Sequence, residues 1–406
     1  MIPPLKLREW AKSVHDLDSE QIAELQRIDG IRIEARPDGR FDLTPTGNMV
    51  GYVRRGNTSV VIHPSKCDSK RVIFMMGYAD NPGVFGDTQV DFDNDEDLLE
   101  AFVSVFARSL TSAIERGLYR TYASIDDDLS VIRGRVRIGD QITRRFRLSP
   151  PIAVSFEEFT VDNSENRLLK AAIDIASRIP IRNKKTRDSL QYLRAMFSDV
   201  SLVEFDRVWL PESVFTRLNE HLKYSLSLAT RIIRNSSISL EHGDGASDEF
   251  LINMATVFED FVVTALREEL NLSSREMPRA NELRDNPYLD RGRRIKLKPD
   301  ISRWEDSRCI AIGDVKYKRT TAEGVVHPDI YQLLAYATAT DLKQASVVYA
   351  MSPNESEDLM VGRHEVQYAG VVINVFALDL SKSTEEILQQ ISTFSQCFDH
   401  AMLSVE

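Results

Sequence analysis

Cysteine is scarce in this chain, with three residues in 406, at positions 67, 309 and 397. Their number is odd and their spacing matches no zinc-binding pair. Neither a disulfide framework nor a structural zinc site is expected, and a reducing cytoplasm suits them. Long apolar runs are missing too: none approaches the roughly 20 residues that cross a bilayer. The opening MIPPLKLREWAK lacks the apolar stretch of a secretion signal. The expectation is a cytoplasmic protein with no membrane contact. No G-x-x-x-x-G-K-[ST] loop occurs, so the chain carries no nucleotide-hydrolysing motor of its own. Excess positive charge is also absent. A net charge of −11 argues against a general nucleic-acid coat and leaves room only for a local basic groove.

What is present is globular. Apolar residues make up 42% and charged residues 28%, and a chain of this length can fill two or three domains. The composition divides it into a β-rich N-terminal segment (1–85), a mixed helical and β central segment (86–235), and a C-terminal α/β segment (236–406). The fold class expected is therefore α+β, multidomain. In the first segment a short helix at Ser19–Ile28 precedes strands in GIRIEAR, RFDLTP, MVGYVRR and TSVVIHP, with turns at 37–39 and 55–57. The acidic run 91–100 places Asp91, Asp93 and Asp95 like the first ligands of a calcium loop. Glu96 stands where that loop needs glycine and Phe102 where it needs glutamate, so a linker leading into a helix is expected instead. In the central segment, Asp162 or Asn163 caps a helix, and further helices are expected at Thr186–Ser198 and Ser213–Arg234. Arg133, Arg135, Arg137, Arg144, Arg145 and Arg147 suit a phosphate, an acidic partner surface, or solvent. The polar stretch 234–249 reads as a linker.

The chemistry concentrates in IKLKPDISRWEDSRCIAIGDVK (295–316): a Pro-Asp at 299–300, then Asp314-x-Lys316 fourteen residues after Asp300. With period 2, Ile310, Ile312, Asp314 and Lys316 share one face of a strand. A preceding strand over 295–301, joined through a turn at Trp304–Ser307, would bring Asp300 and Asp314 together at the strand ends. Two carboxylates and a lysine are what metal-dependent phosphodiester hydrolysis needs. Mg²⁺ takes carboxylate oxygens and water, here Asp300 and Asp314 with the Val315 carbonyl as a further donor, and Mn²⁺ is a tolerated substitute. Lys316 would orient or deprotonate water, or steady charge on the phosphate oxygens.

Three further features bear on the same chemistry. Glu259 lies beside the apolar stripe of an expected helix over 250–270, and either leans into the metal site or faces solvent. Pro328 and Asp329 start a helix with Gln332 and Tyr336 on one face, placed to hold the lysine or a DNA phosphate, or simply to pack. The run RGRRIKLK (291–298) holds five cations in eight residues, which suits a phosphate backbone.

The order Glu259, Pro299-Asp300, Asp314-Val315-Lys316 and Gln332-x-x-x-Tyr336 resembles the PD-(D/E)xK nuclease core in its variant with a trailing Gln–Tyr helix, with Asp314 where many members carry glutamate. The strands expected at 345–353 and 370–380 fit the rest of that core's sheet. The phrases MVGYVRRGNTSVVIHPSK, RVIFMMGYA, GLYRTY with IRGRV, and EEFTVDNSENRLLKAA extend the likeness and are similar to the McrC family. One departure is HPSK (63–66), where Ser65 separates a Pro and a Lys expected as a pair. The resemblance implies the nuclease subunit of a modified-cytosine restriction system, acting on modified double-stranded DNA. It would work with a ring-forming McrB-like AAA+ GTPase, which the N-terminal and central regions would enter and stimulate. Two other readings stand beside it: a self-sufficient metal-dependent nuclease, and a non-catalytic adaptor that activates a partner NTPase.

Overall fold

A computed structural model of the chain describes residues 3–80, 82, 98–145, 150–179, 181–206, 209–211, 214–238, 247–280, 282–283, 286–318, 327–351 and 359–400. The contacts gather 1–102 and 237–406 into one compact unit and 103–236 into a second, so the first and last segments of the sequence meet in a single body.

The first unit begins with β1 (Leu5–Arg8), β2 (Ser13–His15) and α1 (Ser19–Leu25). Asp18 and Gln21 form a capping box at the start of α1, which ends three residues short of the expected Ile28. The strands β3 (Ile31–Ala35), β4 (Phe41–Pro45), β5 (Met49–Arg55) and β6 (Thr58–His63) fall where alternation and turns put them. Two helices follow, α2 (Ser69–Asp80) and α3 (Leu98–Ala113), and α3 passes from the first unit into the second at residue 103. The acidic run at 91–97 lies outside the described residues.

The second unit contains β7 (Thr121–Leu129), β8 (Arg135–Val136), α4 (Ile138–Arg145), β9 (Ile152–Thr160), α5 (Ser164–Arg178), α6 (Lys184–Met196) and α7 (Lys223–Asn235). Its sheet runs β7-β9-β8. Asn163, not Asp162, caps α5, accepting from the Asn166 N–H at 2.9 Å. Asp162 turns instead to Arg167. The expected helix at Ser213–Arg234 is corrected: it starts at Lys223, after a single 3₁₀ turn. Upstream, the Asn219 side chain accepts from the Thr216 N–H and donates to the Val214 carbonyl, giving this backbone a partner other than a helix.

The chain returns through β10 (Ser236–Ile238) and β11 (Ser247–Asn253). The polar stretch expected as a linker thus ends in a strand, because β11 pairs antiparallel with β5 in a sheet ordered β1-β6-β5-β11-β10. Gly51 permits that pairing: a Cβ there would sit 2.1 Å from the Phe250 carbonyl oxygen. With 250–253 in the strand, the helix expected from 250 begins later, as α8 (Met254–Glu269) capped by Asn253.

The remaining elements are β12 (Ile301–Glu305), β13 (Arg308–Lys316), α9 (His327–Thr340), β14 (Gln344–Met351), β15 (Met360–Val366), β16 (Val371–Asp379) and α10 (Thr384–His400). They build a mixed sheet, β12-β13-β14-β16-β15, parallel across β13, β14 and β16 and antiparallel at both edges. Its central strands are buried almost throughout, as parallel strands covered on both faces are. Ile312, Val347, Ile373 and Val375 pack with Leu333, Tyr336 and Ala337 of α9. On the α8 side, Phe261 meets Phe74 edge-on at 5.6 Å, and Phe394 of α10 meets Phe376 at 4.7 Å.

Candidate active site

The hairpin β12–β13 carries the Asp-x-Lys residues, and the Pro-Asp lies just before it. It is shorter than the sequence suggested. Residues 295–300 are not a strand; β12 starts at Ile301, and the turn is only Asp306 and Ser307, with φ of 46° and 68°. Two consecutive left-handed residues are the tight hairpin solution, and Asp tolerates that conformation. Asp300 therefore stands just ahead of β12, with Ile301 opposite Gly313. Its Oδ2 accepts from the Val315 N–H at 2.9 Å, which fastens it across from the last turn of the pleat in β13.

Asp314 is 1% exposed, and among the described residues neither of its oxygens accepts a hydrogen bond of ordinary geometry. The Lys316 ammonium rests directly against its Oδ2 and lies 3.9 Å from Asp300 Oδ2. Burial pushes the Asp314 carboxyl well above the usual range and the neighbouring Asp300 adds to the shift, while Lys316 opposes it. Burial works against the Lys316 ammonium, but Asp314 and Asp300 outweigh it and hold its affinity for a proton above the ordinary value. Half-buried Glu259, on α8, is raised to about 7 by burial, then by Asp300 and Asp260, against the pull of Lys316 and Arg279. The four groups predicted from the sequence therefore share one electrostatic neighbourhood. Among the described residues no three His, Cys, Asp or Glu side chains converge into a closed metal cage. The donor set is a carboxylate pair with a cation already pressed against it. A pair is what Mg²⁺ commonly takes, the rest of its shell being water.

Gln332 and Tyr336 do not reach Lys316. Gln332 donates to the Tyr336 hydroxyl at 2.6 Å, and that hydroxyl donates to the Lys298 carbonyl at 3.0 Å. The pair thus clamps the non-strand segment two residues before Asp300. Tyr336 is 3% exposed, and burial together with the nearby Asp314 raises its hydroxyl pKa. Sequence reasoning took Asp329 only as a helix start. Its carboxylate is in fact buried and accepts from Lys318 Nζ at 2.6 Å and from the Tyr349 hydroxyl at 2.8 Å. The available signal was the parity of Lys318 with Asp314 and Lys316.

The basic run leading into Asp300 is exposed at Arg291, Arg293, Arg294, Lys296 and Lys298, and pinned by buried Leu297 and Pro299. Arg293 lies over the Tyr288 ring at 4.9 Å. In the second unit, Arg133 is 4.0 Å from the Phe156 ring centroid, and Arg137 pairs with Asp140 and Asp126. Arg135 is exposed. The side chains of Arg144 and Arg145, and all of Arg147, lie outside the described residues. All three cysteines are free, and no described helix is long and apolar enough to cross a membrane.

Fold and site together define an α+β chain with a carboxylate pair and a lysine gathered at the end of a mixed sheet. A family description, McrBC 5-methylcytosine restriction system component, matches residues 45–350, and the chain belongs to that family. No curated protein sequence matches it. A chain of the refined half-complex from a tetradecameric assembly of Thermococcus gammatolerans McrB AAA+ hexamers with bound McrC is similar in fold. The TM-score is 0.63 at 17% identity, over 96% of this chain and 99% of that one. The cryo-EM structure of the Thermococcus gammatolerans McrBC complex contains a chain matching at a TM-score of 0.42 and 18% identity, over 66% of this chain and 88% of that one.

Proposed function

We propose that this chain is the DNA-cleaving subunit of a McrBC-type, modification-dependent restriction system. It is a Mg²⁺-dependent endonuclease of PD-(D/E)xK type that works in the cytoplasm with a ring-forming AAA+ GTPase. The observation that carries the reading is Asp314: a carboxylate 1% exposed, without ordinary hydrogen-bond donors, beside Asp300 and Lys316. A pair of carboxylates held this close repel one another unless a cation lies with them.

Asp300 and Asp314 would hold the metal, with the Val315 carbonyl as a further oxygen donor. When bound, a hard divalent cation neutralises phosphate oxygens and makes water acidic enough to attack. The protein's own residues do the rest. Lys316 carries its proton beside the pair and offers it to charge developing on the phosphate. Glu259 orders water on the α8 side. Gln332 and Tyr336 are positioning residues that hold the Lys298 carbonyl and so fix the approach to Asp300. The exposed cations of 291–298 take the DNA backbone.

The partner surface belongs to the second unit. Tyr122 and Phe159 stack across β7 and β9 at 5.1 Å while 68% and 52% exposed, and Val131, Ile132, Ile138 and Ile142 are each more than half exposed. Apolar side chains left in water at this density mark a binding surface. The relative of similar fold was seen with McrB AAA+ hexamers, which gives the occupant: an AAA+ ring. The deciding experiment is cleavage of methylated and unmethylated plasmid by the chain, alone and with its AAA+ partner and GTP, in Mg²⁺ and in EDTA. Metal-dependent cutting of methylated DNA only with partner and GTP supports this reading. Cutting by the chain alone would favour a self-sufficient nuclease, and no cutting under any condition would leave only an adaptor.

A further inference from the structure

Two charged side chains far from the site in sequence are buried as deeply as Asp314. Glu9 directly follows β1, Lys66 comes three residues after β6, and each is 1% exposed. A charge withdrawn from water costs several kcal/mol unless partners hold it, and the partners here are specific. Glu9 Oε2 accepts from the Ser65 N–H at 3.0 Å and from the Tyr317 hydroxyl at 2.8 Å. Tyr317 is the residue after Lys316. Its ring lies 5.5 Å from Trp10 and 6.2 Å from Phe258, the residue before Glu259. Tyr317, the chain neighbour of one site residue, thus packs with the chain neighbour of another. Lys66 Nζ donates to the Ala350 carbonyl at 2.6 Å and lies 5.8 Å from the centroid of the Trp10 ring. Ala350 follows Tyr349, which is in register with Lys316 and donates to Asp329. The N-terminal segment therefore grips the ends of both strands that flank the site, β13 and β14. Among the described residues Glu9 Oε1 accepts no hydrogen bond, so the two donors on Oε2 supply this carboxylate's hydrogen bonds.

We propose that Glu9 and Lys66 are positioning residues for the hydrolytic site, Glu9 acting through Tyr317 on the Lys316 end of β13 and on the Phe258–Glu259 turn of α8, and Lys66 through the Ala350 carbonyl on the end of β14. The proposal rests on the nuclease reading above. It makes the N-terminal segment part of the machinery that sets the site, although no atom of that segment touches Asp300, Asp314 or Lys316 by any hydrogen bond or ion pair found among the described residues. Groups that orient site residues from behind typically contribute about 10–100-fold in metal affinity or activity.

The test uses the full chain, with Mn²⁺ binding by calorimetry as the first readout, plasmid cleavage with the AAA+ partner as the second, and thermal melting as the control for folding. Glu9→Ala and Tyr317→Phe are expected to weaken Mn²⁺ binding and cleavage by about 10-fold or more, with melting close to wild type. Lys66→Met is expected to act in the same direction. Glu9→Gln keeps an oxygen that accepts from Tyr317 and Ser65, and is expected to stay within about 3-fold of wild type, the cost of altering one hydrogen bond. Tyr317→Phe removes a single oxygen and stays informative even if Glu9→Ala does not fold. Wild-type Mn²⁺ affinity in both Glu9→Ala and Tyr317→Phe overturns the proposal, as does a loss that tracks the melting temperature in every variant. Asp314→Ala separates the two levels. If it abolishes Mn²⁺ binding while the Glu9 and Tyr317 variants bind normally, the nuclease reading stands and this proposal alone falls. If wild type itself neither binds Mn²⁺ nor cuts, the nuclease reading fails and takes this proposal with it.

Discussion

The two compact units break opposite rules. In the unit that holds the site, charge goes inside: Asp314, Glu9 and Lys66 are each 1% exposed. In the inserted unit, apolar groups stay outside: Tyr122, Val131 and Ile132 are 68%, 75% and 58% exposed. Ordinary folding physics puts carboxylates in water and aromatics in the core, so neither arrangement stabilises its own unit. Departures of this kind collect where a protein touches something else. Buried charge that is crowded and short of donors, as at Asp314, fits a small cation and a phosphate. Exposed apolar surface fits another protein. Under the proposed function, the difference divides the labour of the chain between cutting and docking, and each half of that division can be broken separately.

The largest effect is expected at Asp314. Asp314→Ala takes away a carboxylate of the proposed metal pair, and cleavage falls to background while the partner's GTP hydrolysis is still stimulated. Asp314→Asn loses cleavage equally but melts no lower than wild type, because it removes a buried charge that Asp300 already repels. Normal cutting by either variant ends the assignment. Lys316→Ala comes next. It leaves both carboxylates in place, so Mn²⁺ still binds by calorimetry, while turnover drops by about 10²–10⁴-fold, the usual worth of a positioned acid or base.

The other half of the comparison is tested on the stacked pair of the inserted unit. Tyr122→Ser with Phe159→Ser should leave the chain folded, since neither side chain is in a core. Association with the AAA+ ring should weaken by about 2 kcal/mol or more, as aromatic anchors at interfaces do. Pull-down and stimulated GTP hydrolysis read this out. Undiminished stimulation would show that the exposed aromatics face water for some other reason.

The legibility of the two units in the sequence follows the same divide. The site was readable because its residues lie close together along the chain. Asp314 and Lys316 lie on one hairpin and Asp300 directly before it, so period 2 and a turn signal suffice to bring them together. What was missed depends on long-range contacts. Residues 295–300 do not extend the hairpin: 295–297 pair with 287–289, and Tyr336 takes the Lys298 carbonyl from 38 residues away. The start of α8 was misjudged because 250–253 pair with β5, some two hundred residues earlier in the chain. Helix periodicity at Phe250 cannot reveal that. Glu9 gives no local sign, and Lys66 shows only as the displaced lysine of HPSK (63–66). Their partners, Tyr317 and Ala350, lie 308 and 284 residues further on. In the inserted unit, the run before α7 reads as helix because apolar periodicity does not register the local side-chain bonds of Asn219 to Thr216 and Val214 that compete with it. Nothing in the sequence marks the aromatics of β7 and β9 as exposed, since alternation shows that two faces differ and not which of them is wet.

The smallest effect sharpens the contrast between buried and open charge. Asp162, in the inserted unit, forms a fork with Arg167, with Oδ1 and Oδ2 each 2.8 Å from a guanidinium nitrogen, and it accepts from the Ser201 N–H and hydroxyl. Arg167 holds this carboxyl well below the usual range, with Ser201 assisting and partial burial opposing. A depressed folded-state value means the unfolded chain binds the proton first. The pair therefore stabilises above the unfolded value of about 3.9 and loses that stability as pH falls through the folded value. Both side chains are partly open, 24% for Asp162 and 40% for Arg167, so solvent screening limits the gain to about 1 kcal/mol. Asp162→Asn should melt slightly lower than wild type at pH 7, less so in high salt, and the two curves should converge in acid. The direction is opposite to that at Asp314, where burial and Asp300 raise the carboxyl and replacing it removes repulsion. A pH-independent gap at Asp162 would mean that its Ser201 hydrogen bonds, rather than its charge, hold the start of α5.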